Sequence, residues 1–195
     1  MMVSVCVPGM FIGIRVTGVF YLQSVAHISP AATGMLMLPW SLASFMAITA
    51  TGRYFNRVGP RPLLIAGCLL QASGILLLLS VSATTGTLPA IVAFALMGTG
   101  GSLCSSTAQS SAFLTTRREE MADASALWNL NRQLSFFAGA FLLAQVLDLA
   151  QRYLPPVAAW HGMFLVASAI TLVPVISVFR LNNPQVLAQL QQEKP

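Results

Sequence analysis

Gly52-Arg53-Tyr54-Phe55-Asn56-Arg57-Val58-Gly59-Pro60-Arg61 is a short basic stretch wedged between two long apolar ones. Apolar blocks repeat on either side of it, each near the ~20 residues that a helix needs to cross a bilayer. Polar residues are squeezed into short gaps between the blocks. The runs are continuously apolar and do not alternate with period two, which specifies helices and not barrel strands. Six spans are predicted, at 2–23, 30–52, 62–82, 88–114, 121–147 and 160–179, in an all-α membrane protein. The two longest windows include interfacial turns, because tilt absorbs only moderate excess length. Residues 1–181 read as one transmembrane domain, and 182–195 as a short polar tail.

Composition agrees: the chain is 56% hydrophobic and 8% charged, with mean hydropathy +0.76. A soluble domain carries roughly 25% charged residues. The formal charge of +5 is scattered through short gaps with no basic stripe interleaved with aromatics, which excludes a nucleic-acid partner. Cys6, Cys68 and Cys104 fall in three different apolar segments without paired spacing, so they read as small packing residues and not as a disulfide or metal framework. No metal or cofactor is expected. The N-terminus has no basic lead and no small-residue cleavage site, so its apolar run reads as a retained span.

Orientation follows from the basic residues. One side collects Arg53, Arg57, Arg61, Arg117, Arg118, Arg180 and Lys194, while the opposite loops hold Arg152. Both termini are expected to be cytoplasmic. His27, the Thr84-Thr85-Gly86 turn and the 148–161 connection are expected outside, with Tyr153 and Trp160 as interfacial anchors.

The basic stretch resembles the signature loop of the major facilitator superfamily: Gly, three variable residues, Asp, Arg, a variable residue, Gly, and a basic residue. Gly52, Arg57, Gly59 and Arg61 match it, and Asn56 stands at the Asp position. Glycines permit a tight turn, and the basic groups suit helix C-termini and acidic neighbours. Tyr21-Leu22-Gln23, Ser29-Pro30, Gly34 to Pro39, Gly98-Thr99-Gly100-Gly101 and Asn129 to Leu134 are similar to the C-terminal half of the fourteen-span drug:proton antiporter branch. That branch's proline- and glycine-rich antiporter element, in the fifth span of the first half, has no counterpart here. The resemblance implies a six-helix half of a facilitator bundle in a bacterial inner membrane, working in proton-driven efflux of drugs or other small amphipathic compounds. It also implies a partner, either a missing N-terminal half or a second copy, and makes this chain a fragment or a truncated gene product.

Arg15 lies ~12 Å of helix from Gln23 and ~20 Å from Met2, too deep for snorkelling. It either lines a cavity, meeting an anionic group or a carboxylate of the other half, or it bonds helix-end carbonyls. Arg132, with Asn129 and Gln133 on neighbouring faces, either snorkels or joins an interhelical cluster. Glu119, Glu120, Asp123, Asp148 and Glu193 all fall in loops or at span ends, so a proton-coupling carboxylate is expected in the other half. Gly98, Gly100 and Gly101 are candidates for close helix packing, and Pro39 and Pro174 for kinks. An intramembrane serine protease is the competing enzyme class, but Leu103 follows Gly101-Ser102 and both histidines lie at the outer boundary. The chain is therefore not expected to be an enzyme. An inert or scaffolding remnant of a transporter is the remaining alternative.

Overall fold

The computed structural model describes residues 2–82, 87–114 and 116–178. The described elements are α1 (Met2–Ser24), α2 (Pro30–Met35), α3 (Met37–Val58), α4 (Pro60–Leu77), α5 (Leu88–Phe113), α6 (Met121–Tyr153) and α7 (Pro156–Val178), with short 3-10 turns at Leu78–Ser80 and Arg118–Glu120. No strand occurs among the described residues. Five helical segments are long and apolar enough to cross a membrane: Pro30–Val58, Pro60–Ser80, Leu88–Phe113, Met121–Tyr153 and Pro156–Ile176. With the 23-residue α1, they make an all-α membrane bundle of six long helical segments. The Thr84-Thr85-Gly86 turn, Arg180, Lys194, Glu193 and the 182–195 tail lie outside the described residues.

The ends of the helices differ from expectation in three places. The basic stretch is not a loop: α3 runs through Arg53 and Arg57 to Val58, and Gly59 alone separates it from α4. Nothing in Arg-Tyr-Phe-Asn-Arg breaks a helix, whereas Gly59 adopts φ 80°, and Pro60 opens the next helix with its fixed φ. The 148–161 connection is likewise mostly helix, because α6 continues to Tyr153 and α7 starts at Pro156. Asp148 and Arg152 are helix-compatible and form an i,i+4 ion pair at 2.7 Å. Finally, the second span is two helices. Pro39 has no N–H for the Met35 carbonyl and its ring crowds that carbonyl, so the helix breaks at Leu36. Ser29 caps the short α2, its hydroxyl accepting from Ala32 N at 3.2 Å.

In lipid there is little hydrophobic drive between helices, so backbone approach and packing decide the bundle. α1 lies against α6 through glycines. A Cβ on Gly9 would stand 2.6 Å from Ser135 O, and one on Gly13 would stand 3.1 Å from Gly139 C. α4 and α5 meet through Gly67, Gly74 and Gly100, and α3 crosses α5 at Gly98. Hydroxyls bridge the α3–α5 contact: Ser44 donates to Gly98 O at 3.2 Å and Ser106 to Thr51 Oγ1 at 2.8 Å. The main core joins Ile14, Tyr21, Ile75, Phe94, Leu143 and Phe164. Trp160 belongs to it, 5.6 Å from Tyr21 between ring centroids. It is a buried core residue, not the surface anchor expected, while Tyr153 is exposed.

Burial is one-sided. Only 17% of the α6 window and 22% of the α2–α3 window are buried, against 56% for α5. α3 and α6 therefore carry long exposed faces, which include Leu38, Leu42 and Phe45 on α3 and Leu134, Phe137 and Phe141 on α6.

Candidate functional site

Arg15 sits on the exposed face of α1. Its guanidinium carbon lies 5.8 Å from the centroid of the Trp40 ring on α3. Trp40 is held in place by Phe11 at 4.8 Å and Phe94 at 5.8 Å, so the cation rests on a fixed aromatic floor. A cation–π contact contributes ~0.5–1 kcal/mol when exposed and ~2 kcal/mol when desolvated, whereas arginine at a span centre costs ~2.5–3.5 kcal/mol on insertion scales. Trp40 thus offsets only part of the cost, and the rest calls for water or an anion. Among the described residues no carboxylate lies within ion-pair distance of Arg15.

On the side of α1 turned away from Arg15, a groove of about 380 Å³ runs along the α1–α6 seam, lined by Val16, Phe20, Ser24, Ala144, Asp148 and Trp160 among others. Val16, Phe20 and Trp160 give it apolar walls. Asp148 gives it a carboxylate, shared with Arg152. Asn129, Gln133, Ala140, Ala144 and Gln151 recur at spacings of three, four and their sums, so they share one face of α6. That face is small and polar, and the Leu134–Phe137–Phe141 stripe lies next to it.

Arg132 is half-buried. Its Nη2 donates to Asn129 Oδ1 at 2.9 Å, and its guanidinium carbon lies 5.9 Å from the Phe136 ring centroid. These contacts stay within α6, so the cluster is local to one helix and does not join Arg15. Gln133 is exposed. The signature residues are spread along a helix end: Gly52, Asn56 and Arg57 are exposed on α3, Gly59 forms the turn and Arg61 is half-buried in the first turn of α4. A Cβ on Gly52 would meet open space, unlike those on Gly98, which faces Trp40 O at 2.7 Å, on Gly100, which faces Gly67 and Gln71, and on Gly101, which lies under the Phe11 ring.

Sequence reading missed Trp40 beneath Arg15, the Asp148 groove and the Gly9–Gly139 seam. The Gly9-to-Gly13 spacing of four is a legible signal for that seam. The α6 face is legible too, once Asp148 is placed in the helix. No group of three or more metal-ligating side chains occurs among the described residues.

A bundle of long apolar helices, with an exposed cation on α1 and a groove along the α1–α6 seam, defines a multi-pass membrane protein. The chain belongs to the Major Facilitator Superfamily, whose profile matches residues 1–195; members of this family are transporters. It is 30% identical over 129 residues to the Uncharacterized transporter YebQ of Escherichia coli, covering 66% of this chain and 28% of that one. It is 28% identical over 127 residues to the Multidrug resistance protein Stp of Mycobacterium tuberculosis, covering 65% and 24%. It is 24% identical over 132 residues to the Lincomycin resistance protein LmrB of Listeria monocytogenes, covering 68% and 28%. The chain thus spans about a quarter of the length of these relatives. No solved structure matches it.

Proposed function

We propose that this chain is the C-terminal half of a fourteen-span drug:proton antiporter, exporting small amphipathic compounds across a bacterial inner membrane. In this reading both termini are cytoplasmic, and the basic α3–α4 and α5–α6 turns lie on that side. The observation that carries it is the one-sided burial: α3 and α6 leave long faces open, and Arg15, a permanent cation, is exposed on α1 against Trp40 of α3. Two layers of helices facing each other across such a surface enclose a substrate cavity that can hold a cation, whereas lipid against the same surface would leave Arg15 uncompensated. The relatives named for multidrug and lincomycin resistance support drugs as the substrate class.

Arg15 is the cavity residue, meeting an anionic group of the substrate or a carboxylate of the other half. The coupling carboxylate belongs to the other half, and the basic end of α3, with exposed Asn56 and Arg57 and open Gly52, is where that half is received. A second copy of this chain is the alternative partner.

The test is efflux of a fluorescent cationic dye from cells expressing this chain alone, and together with an N-terminal half of a relative such as Stp. Proton-dependent efflux only with both halves is expected. Efflux by this chain alone, with crosslinking that shows no dimer, would overturn the assignment.

A further inference from the structure

Cys68 on α4 and Cys104 on α5 are 36 residues apart in sequence, yet their sulfurs lie 3.6 Å apart, and both side chains are fully buried. Glycine builds this contact. A Cβ on Gly67 would stand 2.5 Å from the Cys104 sulfur, 2.9 Å from Gly100 O and 3.1 Å from Cys104 N, so the two backbones approach at this level and not only the side chains. The Cys104 thiol also donates to Leu64 O at 3.4 Å, which keeps it turned toward α4. Around the pair is a small apolar cluster of Leu64 and Val178, separate from the main core.

A disulfide requires an S–S distance of ~2.05 Å and Cα atoms ~4.4–6.8 Å apart. Sulfurs already in contact must close by about 1.5 Å, and the close approach of Gly67 to Cys104 brings the two helices together at this level. We propose that Cys68 and Cys104 are a modification site, oxidised by hydrogen peroxide to an intrachain disulfide that staples α4 to α5.

One thiol attacks a peroxide oxygen, which breaks the O–O bond, releases one water and leaves a sulfenic acid. The second thiol then attacks that sulfur, forming the S–S bond and releasing a second water. Two thiols and one peroxide give one disulfide and two waters, the sulfurs losing the two electrons that the peroxide gains. Burial selects for a small, neutral oxidant, and the neighbouring thiol captures the sulfenic acid before it oxidises further. The chemistry does not depend on transport.

The experiment uses membranes containing the full chain, treated with hydrogen peroxide, denatured in a maleimide and digested without reductant. Mass spectrometry is expected to show the Cys68 peptide joined to the Cys104 peptide, with maleimide labelling lost at both and restored by prior reduction. Cys68→Ala and Cys104→Ala are each expected to abolish the link and leave the remaining cysteine as a sulfenic acid that dimedone traps. Chain denatured before oxidation is the reference for random pairing that includes Cys6. Full labelling of both thiols after peroxide, separate oxidation to sulfinic acids without a link, or the same pairings with Cys6 as in the denatured reference would each overturn the proposal.

Discussion

Substituting Gly9 by alanine attacks the α1–α6 seam at a backbone-to-backbone contact. The new methyl would stand 2.6 Å from Ser135 O and 3.4 Å from Gly139 Cα. Both obstacles are backbone, so no rotamer relieves the clash and the helices must part. Ordinary van der Waals contact begins at 3.4 Å, which sets the separation at about 0.8 Å locally. A radial gap of ~0.5–1 Å forfeits roughly a quarter to a half of each dispersion well along the contact, and overpacking of this kind costs ~1–3 kcal/mol. Gly139→Ala should behave alike, since its methyl meets the Gly9 backbone. The double substitution should cost less than the sum, because both act on one contact. The assay is unfolding in mixed micelles on titration with SDS, and Gly162→Ala is the control because its Cβ would meet nothing within 4 Å. Unfolding of Gly9→Ala at the same SDS fraction as the parent would refute the backbone-contact account of the seam.

Three further outcomes follow from the same geometry. Tyr21→Phe removes the buried bond from its hydroxyl to Val81 O at 2.7 Å, and SDS titration should show a loss of ~0.6–1.7 kcal/mol, the range for polar contacts within membranes. Gly52→Ala places a methyl in open space inside α3, so this chain alone should keep its stability or gain up to ~1 kcal/mol, while efflux by the assembled transporter should fall; loss of stability in the isolated chain would contradict the open-face reading. Asp148→Asn breaks an ion pair whose side chains are 58% and 67% exposed. It should therefore shift stability by no more than ~1 kcal/mol, less at high salt, as the same titration would show.

The spans were legible because continuous apolar runs near ~20 residues have few soluble interpretations. Their ends were not, because charge marks the edge of the hydrocarbon and not the end of a helix. Arg53, Arg57, Asp148 and Arg152 all lie beyond an apolar window yet remain helical, and only Gly59-Pro60 and Leu154-Pro155 carry true stop signals. Pro39 was visible as a disruption, but its effect appears one turn earlier, at Leu36, next to the Met35 carbonyl that loses its partner. Gly98, Gly100 and Gly101 could be singled out from their clustering. The partners they meet, Trp40, Gln71 and Phe11, come from other helices and leave no local trace. For the same reason the Cys68–Cys104 contact could not be read: spacing along one chain says nothing of two antiparallel helices that cross at glycine. Arg15 was legible as an anomaly of depth, whereas Trp40 as its floor was not.

Arg15 is also where the functional account is most exposed to test. The measurement is initial-rate dye efflux by the assembled two-half transporter carrying Arg15→Ala, Arg15→Lys or Arg152→Ala, each normalised to the amount inserted in the membrane. The account predicts that Arg15→Ala inserts as well as the parent or better, having shed a charge that costs ~2.5–3.5 kcal/mol, and yet loses efflux. Arg15→Lys should recover only part of it, and Arg152→Ala should transport normally. Normal efflux by Arg15→Ala, with the same substrate range and proton dependence, would contradict the account and leave Arg15 a packing residue on Trp40.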